Sequence, residues 1–352
     1  MTRTCEHAGA WRRWWIAAVL AFAVALAIPA PSRAAALPED SAFRTWFERQ
    51  VTTPTPLPAE ARNAARQYRY VFVAGFLNEG FQGRYFNENQ KALLDEGVKP
   101  DAIHIIFPRS AAGVEETVVF LGRAIPALAA RGPQKLVLVG HSKGAVEVLA
   151  FVASAAAFVD AHVQAVFLVQ GAFGGSGIAD YITGSGRPID QRLPMRARTQ
   201  MILAARGGKM LATFINSGFQ SLTHRRAADL WDRLIPPARA GASGSASRLP
   251  PTLAGKIFYI RGQRAPEKVS GVLAATAPYL RTYYGENDGL VEVADQWIPG
   301  AGELIATLDA DHCALVVARP ISAQSFGTRR AFTRALLMQI AGAFGPGNLP
   351  GH

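Results

Sequence analysis

The sequence predicts an α/β protein built on a mainly parallel β-sheet flanked by helices. Three observations predict it. Apolar runs of strand length recur along the chain, and they are continuous rather than alternating, as suits strands covered on both faces. Helix-patterned stretches stand between them, which is the alternation of strand–helix–strand crossovers. The composition, 49% hydrophobic and 18% charged over 352 residues, is ample for a core and excludes a disordered chain. Neither heptads nor a repeat of roughly 20–50 residues is visible, which argues against coiled coils and solenoids.

The first 34 residues read as an export signal. Arg12 and Arg13 precede an apolar run from Trp14 to Ile28, followed by Pro29, Pro31 and the small residues Ser32, Ala34, Ala35 and Ala36. This pattern predicts cleavage after Ala34 or Ala36. The run is short for a bilayer span of ~20 residues, although an uncleaved anchor is the rival reading. The arginine pair also permits a twin-arginine route. The expected location is periplasmic or extracellular. Loss of residues 1–34 removes four arginines and one acid and lowers the formal net charge from +11 to +8. The remaining excess is scattered arginine, which favours anionic interfaces without indicating nucleic acid. Cys313 is the one cysteine left, so neither an intramolecular disulfide nor a Cys-type zinc site is expected.

Residues 35–67 are a polar, proline-punctuated lead-in to a domain spanning 68–352. Strand candidates follow at 70–73, ending at Gly75, and at 103–107, stopped by Pro108. Others lie at 136–139 before Gly140 and at 165–169 before Gly171, then at 257–260 and 304–308. Helical patterns lie at 87–96, 114–130, 143–158 and 326–343. Residues 171–255 break the alternation. They hold Gly174-Gly175-Ser176-Gly177 and other glycine clusters, with helical pieces at 198–206 and 225–234. We read this stretch as an insertion over the strand ends, of cap type.

Gly140-His141-Ser142-Lys143-Gly144 matches G-x-S-x-G, and it stands between a strand candidate and a helix. A serine on such a turn is raised above the sheet, and the glycines leave room for its neighbours. A serine hydroxyl needs a base. His312 follows the last strand and can reach the same sheet edge. Asp288, in Asn287-Asp288-Gly289, supplies a carboxylate to orient the imidazole, although Asn-Asp-Gly is also strong turn chemistry. Two backbone N–H groups must face a developing oxyanion. Those of Lys143 and Phe76 are the candidates, with Leu77 second. The Lys143 side chain is expected on the surface at the helix start, near Glu147. Phe173, in the loop after the fourth strand, is expected to line an acyl site together with Leu77.

Ala74-Gly75-Phe76, Gly140-His141-Ser142-Lys143-Gly144, Asn287-Asp288-Gly289-Leu290-Val291 and Asp311-His312 together resemble the α/β-hydrolase fold, particularly bacterial lipase-like and esterase-like proteins. The chain departs from many relatives in having Ala74-Gly75 where they carry a His-Gly oxyanion motif. The resemblance implies a serine hydrolase cleaving carboxylic esters through an acyl-enzyme, with Ser142, Asp288 and His312 as triad and with no cofactor or metal. It implies an ester or lipid substrate and is compatible with contact at a lipid interface; no obligate protein partner is indicated. The fold also hosts acyltransferases, polyester depolymerases and non-catalytic binding proteins, which are the alternatives.

Overall fold

The structure, a computed structural model, describes residues 41–81, 83–235, 249–269, 271–318 and 324–344. The expected export signal lies outside the described residues, as does part of the insertion. The described residues form six strands: β1 (Arg69–Val73), β2 (Ile103–Ile106), β3 (Leu136–His141), β4 (Val163–Val169), β5 (Ile257–Gln263) and β6 (Glu303–Asp309). All neighbours pair in parallel, in the order β2-β1-β3-β4-β5-β6.

The apolar runs become strands because both faces of the sheet are covered. Tyr70, Phe72, Val137, Val139, Phe167 and Phe258 pack against one helical layer. That layer contains α1 (Ala42–Thr52), α2 (Ala59–Ala65), α3 (Asn87–Asp95) and the last helix, α12 (Phe326–Phe344). The alternate side chains Val71, Val73, Leu136, Leu138, Val166 and Tyr259 pack against α4 (Val114–Ala129) and α5 (Lys143–Ser154) on the opposite face. The residues expected as a lead-in are therefore part of the core. Phe43, Phe47 and Leu57 are buried, and Phe43 meets Phe332 of α12 edge-on at 6.3 Å.

The helix expected over 143–158 is two helices. It breaks at Ala155 (φ −122°, ψ 38°), and α6 (Ala156–His162) leaves α5 at 100°. The bend delivers Val163 to its place beside Leu136 at the start of β4.

The insertion after β4 contains α7 (Gly177–Thr183), α8 (Met195–Gln220), α9 (His224–Leu234) and α10 (Pro251–Ala254). The piece expected at 198–206 is the interior of the 26-residue α8, which kinks at Ile215 (φ −131°, ψ 37°). Ile178, Ile182, Met201, Ile215 and Phe219 form a small core of their own with Tyr279 and Leu280 of α11 (Ala277–Tyr283). Phe76 and Leu77, from the loop after β1, pack against this cluster, and the rings of Phe76 and Phe219 meet edge-on at 4.7 Å. The insertion thus lies against the loops at the strand C-termini, where α/β sheets bind ligands.

Candidate active site

Ser142 sits between β3 and α5 with φ 57° and ψ −128°, a conformation that costs a non-glycine residue about 1–3 kcal/mol. Its surroundings hold it there. The Ser142 N–H donates to Val169 O at 3.0 Å. A Cβ on Gly140 would stand 2.7 Å from Ala145 Cα, and one on Gly144 would stand 2.4 Å from Val73 O. Glycine at these two positions lets α5 turn back directly over β1 and β3. These neighbouring strands form the point where the sheet order reverses, the favoured ligand position of open α/β sheets.

His312 comes from the loop after β6. Its Nε2 lies 2.8 Å from Ser142 Oγ, and its Nδ1 lies 2.7 Å from Asp288 Oδ2. A carboxylate only accepts, so Nδ1 carries the proton and the Nε2 lone pair faces the serine hydroxyl. Asp288 is 0% exposed. Its Oδ1 accepts the N–H groups of Leu290 and Val291 at 3.0 and 2.9 Å. Its Oδ2 also accepts from Gln170 Nε2 at 2.9 Å and Gln296 Nε2 at 3.2 Å. These donors compensate the buried charge and set the carboxylate plane toward the imidazole. The Asx turn and the bond to His312 coexist, one on each oxygen.

The two glutamines are functional neighbours that the sequence reading missed. Gln170 was legible as the lone polar residue closing an apolar strand; it adopts φ 49°, and a Cβ on Gly262 would collide with its amide. Gln296 carries no such signal, since a residue eight positions after Asp288 returns to it only through the fold. Asp311 is buried but bonds the Cys313 N–H at 3.0 Å, and burial pushes its carboxyl up. Asp309 faces outward and meets Arg264.

Among the described residues no group accepts the N–H of Phe76 or of Lys143. The N–H of Leu77, by contrast, is occupied by Ser110 Oγ at 2.8 Å. The loop bearing Phe76 is tied from below. Gly75 N–H donates to Tyr85 Oη at 2.9 Å, and Tyr85 Oη lies 2.5 Å from His141 Nδ1. His141 Nε2 lies 2.8 Å from His312 O. That carbonyl can only accept, so neutral His141 donates from Nε2 and takes the tyrosine proton at Nδ1. Burial, reinforced by neighbouring His312, holds the His141 pKa well below the usual histidine range.

Two expectations are corrected. The Lys143 side chain is not a surface group: it is 2% exposed and ion-paired with the equally buried Glu147. Burial pushes the Glu147 carboxyl up and Lys143 opposes it. The reason is that α5 is the central helix of its layer, enclosed on all sides. Phe173 is also no pocket residue. It is 0% exposed, packs on Tyr259 at 5.1 Å, and its carbonyl accepts Trp231 Nε1–H at 2.6 Å. The loop after β4 folds inward toward α9. Leu77 is half-buried against the core of the insertion.

No family model matches the sequence, and no curated protein matches it. Solved structures do. A metagenomic carboxyl esterase, MGS0156, is 22% identical over 82% of this chain and 79% of its own, with a TM-score of 0.55. Bacillus licheniformis lipase BlEst2 in its mature form is 18% identical over 70% of this chain and 85% of its own, with a TM-score of 0.50. The chain therefore has the α/β-hydrolase fold, with a helical insertion after its fourth strand.

Proposed function

We propose that this protein is an exported serine hydrolase that cleaves carboxylic esters. The observation that carries the reading is the line Ser142 Oγ–His312 Nε2 at 2.8 Å and His312 Nδ1–Asp288 Oδ2 at 2.7 Å, assembled on a strained turn. His312 takes the Ser142 proton as the oxygen attacks the ester carbonyl. The Phe76 and Lys143 N–H groups receive the oxyanion, and Asp288 stabilises the imidazolium. His312 then protonates the leaving alcohol, and water repeats the sequence to release the acid. The structural neighbours include a carboxyl esterase and a lipase, which supports the ester as the bond attacked. Export rests on the charged, apolar and small-residue pattern of residues 1–34.

The substrate class we favour is lipid-like. Helix α8 exposes Met195, Leu203, Met210 and Phe214, contains Arg196, Arg198, Arg206 and Lys209, and has no acidic residue. An apolar face bordered by cations suits the surface of an anionic lipid aggregate. The test is a series of p-nitrophenyl esters of rising acyl length, with a fluorophosphonate label to report the nucleophile. The wild-type chain should hydrolyse them and take one label. Ser142→Ala should fold, take no label and lose several orders of magnitude in kcat. Turnover within tenfold of wild type would remove Ser142 from the mechanism.

A further inference from the structure

A second cluster of chemistry-bearing side chains lies where the insertion meets the loop that continues from Asp288. His224 begins α9, Asp180 lies on α7, and Glu292 and Asp295 follow Asp288 by four and seven positions. One ligand-capable atom from each of His224, Glu292 and Asp295 falls within 4.8 Å of the others. We propose that these three side chains bind a divalent metal ion of the zinc class, with Asp180 positioning the histidine. The proposal does not depend on the role of Ser142.

The donor geometry points that way. His224 Nδ1 lies 2.7 Å from Asp180 Oδ2, and Asp180 Oδ1 accepts the His224 N–H at 3.1 Å. A carboxylate holding Nδ1–H leaves Nε2 as the lone-pair nitrogen, which is how metal-ligating histidines are oriented. Nε2 lies 3.4 Å from Asp295 Oδ2. That is long for a charge-assisted hydrogen bond. It matches the separation of two ligands on one tetrahedral zinc, about 3.3–3.4 Å when each sits ~2.0–2.1 Å from the metal. The imidazole is held flat by Tyr284, whose ring is parallel to it within 5° at 5.8 Å.

Glu292 is the independent observation. Glu292 is 2% exposed; its Oε1 accepts the Gly177 N–H at 2.9 Å, while Oε2 is buried without a hydrogen-bond partner among the described residues. A buried carboxylate oxygen with no donor is costly, and a cation beside it removes that cost. His224 and Asp295 remain partly open to water, which leaves an entry path and a place for a further ligand.

The glycines of the insertion acquire a reason from this cluster. A Cβ on Gly174 would stand 1.9 Å from Asp295 Oδ1, and one on Gly175 (φ +113°) would stand 2.6 Å from the His224 backbone. A Cβ on Gly177 would stand 2.7 Å from Glu292 Oε1. Each of the three glycines in Gly174-Gly175-Ser176-Gly177 thus clears room for a different member of the proposed ligand set. The loop is shaped around it, and a metal there would clamp the insertion to the segment that presents Asp288.

The rival occupant is a proton. Asp180 and Asp295 hold the His224 pKa up to about 10 in the metal-free chain, so an imidazolium can also bridge them. Purified full chain, stripped with a chelator and dialysed, should take up one Zn²⁺ per molecule by calorimetric titration with zinc alone. Its Tm should rise by about 4 °C when free zinc exceeds Kd about a hundredfold. His224→Ala and Glu292→Gln should each weaken zinc binding at least ~100-fold, and Asp180→Asn by ~10–100-fold. Glu292→Gln is nearly isosteric, so it carries the comparison if His224→Ala does not fold. No stoichiometric zinc uptake by the wild type, or equal affinity in Glu292→Gln, would overturn the proposal in favour of the imidazolium clamp.

Discussion

Asp288 and Asp311 are both buried next to His312, and the hydrogen bonds separate them. Asp288 faces the imidazole at 2.7 Å, whereas the Asp311 carboxylate turns back onto its own loop at Cys313 N. Asp311 opens a turn, its carbonyl accepting the Ala314 N–H at 3.1 Å while its carboxylate accepts the Cys313 N–H, and this turn keeps the carboxylate off the ring of the histidine it precedes. Asp288→Asn should lower kcat by about 10³–10⁴ with little loss of stability, while Asp311→Asn should stay within roughly tenfold. Steady-state kinetics of both variants decides, and a mild Asp288→Asn beside a crippling Asp311→Asn would reverse the assignment. His141 makes a pH prediction. Burial lowers its folded-state pKa well below the usual value, so below about pH 6.5 the unfolded chain binds a proton that the folded chain refuses. Stability therefore falls as pH drops below that point, by at most about 1.4 kcal/mol per unit from this residue. Gln at position 141 can donate one hydrogen bond and accept another as histidine does, but does not titrate. Urea midpoints between pH 5 and 8 should fall less steeply with acid in His141→Gln than in wild type.

At the scale of elements, strands were the most legible. Each candidate run was found within three residues of its observed ends, because burial on both faces leaves an unbroken apolar signature. Helices fared unevenly. The run from Lys143 has neither glycine nor proline between Ala145 and Gln170, so no breaker announces the bend at Ala155 that leads the chain into β4. Helix α8 was under-read because Gly207, Gly208 and Gly218 interrupt its pattern. Gly218 is there for contact: a Cβ would lie 1.9 Å from Ser110 O and 2.7 Å from the Phe76 ring. Gly208 faces the Ile182 side chain in the same way. Glycines that look like breaks in a sequence are here close approaches between α8 and its supports.

Across the whole molecule, the N-terminal helices and the last helix close one face of the sheet together. Arg334 of α12 pairs with Glu96 at 2.6 Å and donates to Gln50 Oε1 at 3.1 Å and Thr55 O at 2.9 Å, joining α1, the end of α3 and α12 in one network. Burying Phe43, Phe47 and Leu57 contributes about 1.5–3 kcal/mol each, a sum comparable with the whole stability of an ordinary domain, about 5–15 kcal/mol. A chain beginning at residue 67 should therefore lose cooperative unfolding in urea, and Phe47→Ala alone should cost about 3–5 kcal/mol. A soluble truncated chain with an unshifted midpoint would show that this layer is dispensable.

The sequence by itself determined the sheet, its parallel crossovers and the residues of the Ser142–His312–Asp288 line. These follow from local signals: apolar runs, Gly-x-Ser-x-Gly between a strand and a helix, and loops at strand ends that share one sheet edge. Tertiary structure decided what depends on neighbours distant in sequence. It turned Lys143 and Phe173 inward, because the surroundings of α5 and of the loop after β4 are supplied by other segments. It brought Gln170 and Gln296 onto one carboxylate, and it gathered Asp180, His224, Glu292 and Asp295 from separate elements. Periodicity reports whether a side chain will be buried; which polar groups meet there is set by how elements far apart in the chain pack.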